Sequence, residues 1–239
     1  IRTTTLTMSR DVKLGLDYTT TTLYDGQGMM VRKSLGVKSA KELDGASICI
    51  QIGTTTELNV SDYFAANKMS YKPVVFESAD ESTVMYDTGR CDVYTTDASG
   101  LAARRTTLSK PADHIILAEV ISKEPLGPAV RHGDQQWGDI VRWTLFALIN
   151  AEELGVTSEN VDEMMKSTNP SIKRLLGVED NLGEQMGLTS DWVYRIVKHV
   201  GNYGEIYDRN VGPDTPLGLE RGPNALWTQG GLMYAPPVR

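Results

Sequence analysis

Two short polar clusters in the middle of the chain contain residue types that bind a small charged ligand. Gly53-Thr54-Thr55-Thr56 combines a glycine with three hydroxyl side chains, and at a helix start such a sequence presents N–H groups and hydroxyls to an anion such as a carboxylate. Thr96-Asp97 offers a carboxylate, which suits a cation. Together they predict a site for a zwitterion. Taken singly, each has a plainer interpretation, because Thr is a common helix cap and an aspartate at a strand end is usually solvated.

The segment around these clusters predicts five alternating elements. Short apolar runs indicate strands and the segments between them indicate helices, in the order strand 46–52, helix 57–69, strand 72–76, helix 80–88 and strand 91–95. This order is typical of a parallel α/β sheet with right-handed crossovers. Ligands of such sheets gather at the carboxyl ends of the strands, and the first and third strands are commonly neighbours. We therefore expect both polar clusters to face one crevice.

Helical patterns dominate the second half of the chain. Apolar spacing and capping residues predict helices over 137–154, 158–166, 170–176 and 191–203. Residues 111–131 are expected to be extended because three prolines prevent a long helix, and the tail after Val211, rich in proline and glycine, should be irregular. Thr3 to Thr7 has strand-like composition and needs partners from later in the chain or from outside it.

Composition and charge exclude several classes of function. The 239 residues suffice for one large domain or two small lobes. A balance of 24 Lys+Arg against 31 Asp+Glu gives a net charge of −7, so nucleic acid is not an expected partner. No apolar run approaches the ~18 residues of a membrane-spanning helix. The three histidines lack metal-ligand spacing, and P-loop, G-x-S-x-G and H-E-x-x-H motifs are absent from the sequence. We expect no catalytic residue, no metal and no cofactor.

The two cysteines, Cys49 and Cys91, leave two interpretations open. They are either two buried thiols or one disulfide formed in an oxidising compartment. Both fall near the amino ends of strands that we expect to be neighbours, ~4.8 Å apart, which is a distance that a disulfide spans.

Four ordered motifs connect the chain to a known family. They are the segment Thr5-Leu6-Thr7-Met8-Ser9-Arg10, the run from Cys49 to Thr55, the strand Asp92-Val93-Tyr94-Thr95-Thr96-Asp97, and the segment from Glu124-Pro125 to Asp134. With these motifs the chain resembles the periplasmic solute-binding proteins of polar amino-acid ABC transporters (family 3), in particular the general L-amino-acid-binding proteins. The resemblance covers essentially the whole chain.

The resemblance implies the α/β type II periplasmic-binding-protein fold, with two lobes joined by a hinge. Residues 24–127 would form a complete second lobe with a βαβαβ core. Residues 1–23 and 128–239 would form the remainder of the first lobe with a carboxyl-terminal extension. The family has a further βαβαβ segment before the hinge threonines, so the first lobe is expected to be incomplete.

The resemblance also implies a role for individual residues. Arg10 would form a bidentate pair with the α-carboxylate of an amino acid, and Thr5 and Thr55 would hold the same carboxylate. Asp97 would accept from the α-ammonium, while Gln51, Thr54 and Thr96 match further pocket positions. Cys49 and Cys91 match cysteines of the general amino-acid-binding subgroup, which implies a disulfide between them.

The function implied is the amino-acid-binding component of an ABC importer in the periplasm of a Gram-negative bacterium. It would close its lobes on an L-amino acid and present it to the inner-membrane permease, without a chemical step. One alternative is a truncated relative that serves as an interaction module without amino-acid transport and self-associates through the incomplete lobe. Another is an enzyme on the same scaffold, such as a dehydratase, but the acid it needs, Asp97, is already assigned to the ammonium.

Overall fold

The computed structural model describes residues 2–239. The chain divides into two compact units. Unit 1 consists of Ile1–Tyr24, Pro125–Thr215 and Glu220–Arg239, and unit 2 of Asp25–Glu124 and Pro216–Leu219. The first residue of the predicted segment 1–23 lies outside the described residues.

Strands and helices alternate in the first half of the chain, and helices dominate the second. The strands are β1 (Arg2–Thr5), β2 (Leu16–Tyr18), β3 (Leu23–Asp25), β4 (Gln27–Arg32), β5 (Ser47–Gln51), β6 (Lys72–Phe76), β7 (Val93–Asp97), β8 (His114–Ile116) and β9 (Glu124–Arg131). The helices are α1 (Met8–Leu14), α2 (Thr55–Ala66), α3 (Ala79–Asp87), α4 (Ala98–Arg105), α5 (Gln135–Glu153), α6 (Val161–Met164), α7 (Pro170–Leu175), α8 (Trp192–Val200) and α9 (Tyr203–Asn210).

Unit 2 is built on a five-stranded sheet with the order β6-β5-β7-β4-β8. β5 is parallel to both β6 and β7, as the sequence predicts. β4 is antiparallel to β7 and β8, however, so the sheet is mixed and not purely parallel. The sequence pattern did not predict β4, and it placed β8 only within an extended region.

The core of unit 2 lies on both faces of this sheet, because successive side chains of a strand point to opposite faces. Met29 and Val31 of β4 pack with Ile48 and Phe64 in one cluster, which includes the buried face of α2. The next side chains along the same strands fill the other face, in a cluster with helices α3 and α4 that contains Met30, Cys49, Tyr86, Tyr94 and Leu101. A sheet covered on both faces explains why the middle residues of β4 and β5, Met29 to Val31 and Ile48 to Ile50, are continuously apolar.

Unit 1 is organised around β9. β1 and β2 both pair with it antiparallel, with Thr5 opposite Leu126 and Leu16 opposite Arg131, and β3 also pairs with it. The strand predicted at the start of the chain therefore finds its partner later in the chain. The long helix α5 packs against α7, α8 and α9.

Two of the predicted helices differ in the structure. The helix predicted over 191–203 ends at Val200, because Gly201 adopts a φ of 84° and Asn202 begins α9 with a capping box closed by Glu205. The helix predicted over 158–166 shortens to α6. Among the described residues, no helix is both long enough and apolar enough to cross a bilayer.

Candidate functional site

The two polar clusters of unit 2 follow neighbouring strands at one edge of the sheet. β5 and β7 pair in parallel, with Cys49 opposite Tyr94. Because parallel strands end at the same edge, Gly53-Thr54-Thr55-Thr56 and Thr96-Asp97 come together there. The prediction that these strands are neighbours is confirmed.

The start of α2 leaves its amide groups unused by the N-cap side chain. Thr54 holds the N-cap position, but its hydroxyl donates to the Gln51 carbonyl at 2.8 Å and accepts no bond from the helix. The Glu57 carboxylate reaches back and accepts from the Gly53 N–H at 3.0 Å. Gly53 has a φ of 68°, which favours glycine at this turn. The helix start therefore presents N–H groups and a partial positive charge to the edge of the sheet.

Thr96 and Asp97 end β7 beside the start of β4. In this antiparallel pair Gly28 lies opposite Thr96 and Gln27 opposite Asp97. Both side chains of the cluster are half-buried, and Asp97 holds the N-cap position of α4. The Gln51 amide, at the end of β5, donates to the Glu77 carbonyl at 3.1 Å.

In unit 1 the first turn of α1 brings Thr5 and Arg10 together. Thr7 caps this helix by accepting from the Arg10 N–H at 3.3 Å. The Arg10 guanidinium turns back and donates from Nη1 to the Thr5 carbonyl at 2.9 Å, and the Tyr18 hydroxyl donates to the same oxygen at 3.1 Å. Burial raises the pKa of Tyr18, so its hydroxyl keeps its proton. Thr5 itself is buried.

The seven predicted ligand-binding residues thus fall into two groups. The first comprises Thr5 and Arg10 of unit 1, which are joined by a hydrogen bond. The second group belongs to unit 2 and comprises Gln51, Thr54, Thr55, Thr96 and Asp97.

A disulfide joins Cys49 and Cys91, with their Cα atoms 5.6 Å apart. The disulfide implied by the family resemblance is confirmed, and both cysteines are buried. Nearby, the Ser47 hydroxyl donates to Asp92 at 2.6 Å, and the Ser47 N–H donates to the same carboxylate at 2.9 Å. These two hydrogen bonds lower the pKa of Asp92. The disulfide and these hydrogen bonds therefore join β5 to the segment that leads into β7 at the end opposite the polar clusters. Within the described residues, no group of three or more His, Cys, Asp and Glu side chains is placed to hold a metal ion.

The sequence is similar over its whole length to the General L-amino acid-binding periplasmic protein AapJ of Rhizobium johnstonii. The two are 61% identical over 240 residues, which cover 100% of this chain and 70% of that protein. The chain belongs to the family of periplasmic amino-acid-binding proteins of ABC transporters. The Glutamate/glutamine/aspartate/asparagine-binding protein BztA of Rhodobacter capsulatus is 57% identical, with 100% of this chain and 71% of that protein covered. No protein-family model matches the chain.

Solved structures share the fold of this binding protein. An ABC transporter periplasmic binding protein from Brucella ovis with glutathione bound superposes with a TM-score of 0.97 and 57% identity, over 99% of this chain and 75% of that one. An ancestral arginine-binding protein bound to arginine gives a TM-score of 0.50 and 27% identity, over 64% of each chain. The mixed α/β fold is therefore that of periplasmic amino-acid-binding proteins.

Sequence reasoning missed a buried polar network behind the clusters of this binding protein. Gln27 and Glu124 are 0% and 2% exposed. Asn59 donates from Nδ2 to both, at 3.0 Å to Gln27 Oε1 and 2.6 Å to Glu124 Oε1. Gln27 in turn donates to the Thr95 hydroxyl at 2.9 Å and to the Thr56 carbonyl at 3.2 Å. The only sequence signal was the polar start of two strands, Gln27 in β4 and Glu124 in β9, since buried strand interiors are normally apolar.

Proposed function

We propose that this chain captures an α-amino acid by its carboxylate and ammonium groups and delivers it to the permease of an ABC importer. The observation that carries the proposal is the parallel pairing of β5 with β7, which sets an anion-binding helix start beside a strand that ends in aspartate. Membership of the amino-acid-binding family supports the same class of ligand.

The residue roles follow from the chemistry of each group. Arg10 pairs with the α-carboxylate, because a guanidinium matches a carboxylate with two parallel N–H donors. Thr5 and the first turn of α2, with Thr54 and Thr55, bind the same carboxylate. Asp97 accepts from the α-ammonium, and Gln51 and Thr96 make further contacts. No bond is made or broken in the ligand, so the protein is a carrier and not an enzyme.

We further propose that residues 24–127 are one ligand-binding lobe and that residues 1–23 and 128–239 belong to the other. The division of the chain into compact units at nearly the same positions supports these boundaries. The compartment is the periplasm of a Gram-negative bacterium, and the periplasmic naming of AapJ supports it.

We call the proposed contacts of Arg10, Thr5, Thr54, Thr55 and Asp97 with the carboxylate and ammonium groups the clamp. Ligand-induced thermal stabilisation of the mature protein tests it. We expect at least one of the twenty amino acids to raise the Tm, because a ligand that binds only the folded state stabilises it. The N-acetyl and methyl-ester derivatives of that amino acid should not raise it. Binding of the blocked derivatives with undiminished affinity would contradict the clamp.

Substitutions then assign the charges. Arg10→Gln and Asp97→Asn should each weaken binding at least about tenfold, because each leaves one ligand charge without its partner. Arg90→Gln and Asp113→Asn, which change exposed residues of the same types, are the controls and should leave the Kd unchanged. Equal effects of test and control variants would contradict the assignment.

A γ-glutamyl peptide is a second candidate ligand. The Brucella ovis relative, 57% identical, holds glutathione, whose γ-glutamyl residue carries a free α-carboxylate and α-ammonium on one carbon. The same clamp can therefore bind it. Calorimetric titration should give a measurable Kd for glutathione and none for its N-acetyl derivative, whereas equal binding of the two would exclude this mode.

The alternative of an interaction module without transport activity has no support among the relatives, whose names describe binding proteins. Self-association stays a prediction. Size-exclusion chromatography with light scattering would test it by measuring the molar mass of the protein in solution.

A further inference from the structure

The long segment of unit 2 begins and ends with a carboxylate. The chain enters this unit at Asp25 and leaves it at Glu124, directly before Pro125 of unit 1. We refer to Asp25 and Glu124 as the crossing carboxylates. The clamp uses neither of them.

Asp25 is bonded to the start of α4. Its Oδ2 accepts from the Ser99 N–H at 3.2 Å and also from the Ser99 hydroxyl. The next residue, Gly26, accepts from the Ala98 N–H at 2.8 Å through its carbonyl. Ala98 and Ser99 directly follow Thr96-Asp97, so this carboxylate holds the helix start beside the ammonium-binding cluster.

Glu124 is bonded to the start of α2 in a parallel way. Its Oε2 accepts from the Thr55 hydroxyl at 3.3 Å, and its Oε1 accepts from Asn59 Nδ2 at 2.6 Å and from the Ser122 hydroxyl at 3.0 Å. Thr55 and Asn59 lie one helical turn apart on one face of α2. This carboxylate therefore holds the helix start that carries the carboxylate-binding cluster.

The burial of Glu124 needs a reason, since removing a charge from water is unfavourable unless other groups hold it. The ion pairs of the described residues do not include Glu124. Its bonds come from neutral donors, two of which belong to the first turns of α2. A carboxylate in this environment fixes the positions of its donors at a cost in stability.

Gln27 connects the arrangement around Glu124 to β7 and is close to Asp25 in sequence. It lies two residues after Asp25, its Oε1 shares the Asn59 amide with Glu124, and its Nε2 donates to Thr95 of β7. The starts of α2 and β4 and the end of β7 thus belong to one hydrogen-bond network.

We infer that the crossing carboxylates are positioning residues for amino-acid binding. They do not contact the ligand, but they hold the first turns of α2 and α4 where the clamp needs them. The inference rests on the proposed function. Asp25 bonds to the start of α4 through Ser99, and Glu124 bonds to the start of α2 through Thr55.

One consequence concerns Thr55. A hydroxyl group has a single proton, and that of Thr55 is donated to Glu124. Thr55 therefore offers its backbone N–H, and not its hydroxyl proton, to the α-carboxylate of the ligand.

The test measures the Kd by calorimetry on the mature protein, with the amino acid that gives the largest thermal shift in the screen above as the probe. Asp25→Asn and Glu124→Gln should each weaken binding about tenfold, since each removes an acceptor of charge-assisted hydrogen bonds. Asp92→Asn is the matched control, because Asp92 accepts from the N–H and hydroxyl of Ser47 just as Asp25 does from Ser99, but at the opposite end of the sheet. It should lower the Tm and leave the Kd within about twofold of the wild-type value.

A double-mutant cycle separates positioning from general loss of structure. If Glu124 acts through Thr55, the variant Glu124→Gln with Thr55→Val should bind no more weakly than the weaker single variant. Additive losses, or losses no larger than that of Asp92→Asn, would overturn the inference. If Glu124→Gln does not fold, Thr55→Val and Ser99→Ala, which each remove one hydroxyl donor, give the same readout.

The two levels of the proposal fail separately. An Arg10→Gln variant that binds like the wild type contradicts the proposed clamp. A clamp that responds to Arg10→Gln and Asp97→Asn but not to the crossing carboxylates contradicts the positioning role alone.

Discussion

At the scale of single residues, the surroundings of His114 hold its imidazole neutral. The side chain is 6% exposed, and its Nδ1 lies 2.8 Å from the Tyr86 hydroxyl. Burial lowers the pKa of His114 below its ordinary 6.5, and the Arg32 guanidinium lowers it further, against smaller opposing effects of Asp87 and Asp113. The folded chain therefore takes up a proton here less readily than the unfolded chain.

This difference predicts a loss of stability in mild acid. The free energy of unfolding should be fully retained above pH 6.5 and should fall as the pH decreases through the lowered pKa of His114, because the unfolded chain binds the proton first. Denaturant unfolding at a series of pH values measures this free energy of unfolding. His114→Asn should flatten the profile between pH 6.5 and about 5, above the range in which carboxylates titrate. An unchanged slope in the variant would assign the effect to other groups.

At the scale of elements, a disulfide joins the chain near the amino ends of β5 and β7, and the two polar clusters follow their carboxyl ends. The disulfide and the bonds between Ser47 and Asp92 hold the amino ends. The backbone pairing of the two strands joins Ile48 with Val93 and Cys49 with Tyr94, and Gln51 and Asp97 lie beyond it. The covalent link and the proposed ligand contacts therefore lie at opposite ends of the same pair of strands.

Removing the disulfide should reduce stability much more than affinity. The bridge closes a loop between residues 42 positions apart, and a loop of this length corresponds to about 4 kcal/mol of unfolding free energy in the chain-entropy model. We expect the double variant Cys49→Ala with Cys91→Ala to lose about 2–4 kcal/mol in denaturant unfolding. Its Kd for the amino acid, measured well below the Tm, should stay within about twofold of the wild-type value. A tenfold loss of affinity would show that the amino ends of the strands also set the geometry of the clusters.

At the scale of the whole molecule, the chain visits unit 2 twice and returns each time to unit 1. The second return begins at Glu220. Arg221 anchors it, with its guanidinium 3.0 Å from Glu152 of α5 and stacked over the rings of Tyr203 and Tyr207 at 5.2 and 5.1 Å. Burial raises the pKa of Glu152, and Arg221 opposes that shift.

This anchor predicts where the carboxyl-terminal segment can be loosened. Glu152→Gln should cost about 2 kcal/mol, because it leaves a largely buried guanidinium without its counter-charge. Hydrogen exchange should become faster in residues 220–239 than in unit 2. Glu153→Gln changes the neighbouring exposed carboxylate, which accepts from the indole of Trp227, and should have little effect. Equal acceleration in both units would contradict a local anchor.

Part of the fold and of the candidate site was predictable because it depends on local sequence. The apolar runs that became β5, β6 and β7, the caps between them and the ordered motifs around Thr5, Arg10, Thr54 and Asp97 are all contained in short segments. Periodicity and turn chemistry specify such segments without knowledge of the rest of the chain. The break at Gly201-Asn202 is also a local signal, because Asn202 and Glu205 form a capping box.

The sequence by itself therefore determined the βαβαβ segment, its polar strand ends and the family to which the chain belongs. Only the tertiary structure decided that β4 inserts between β7 and β8, that Asn59 bonds to both Gln27 and Glu124, and that Asp25 bonds to Ser99. Antiparallel insertion and buried polar pairing depend on residues up to about a hundred positions apart, and a carboxylate acquires its role from the donors that folding brings to it. No pattern along the chain encodes which donors those are.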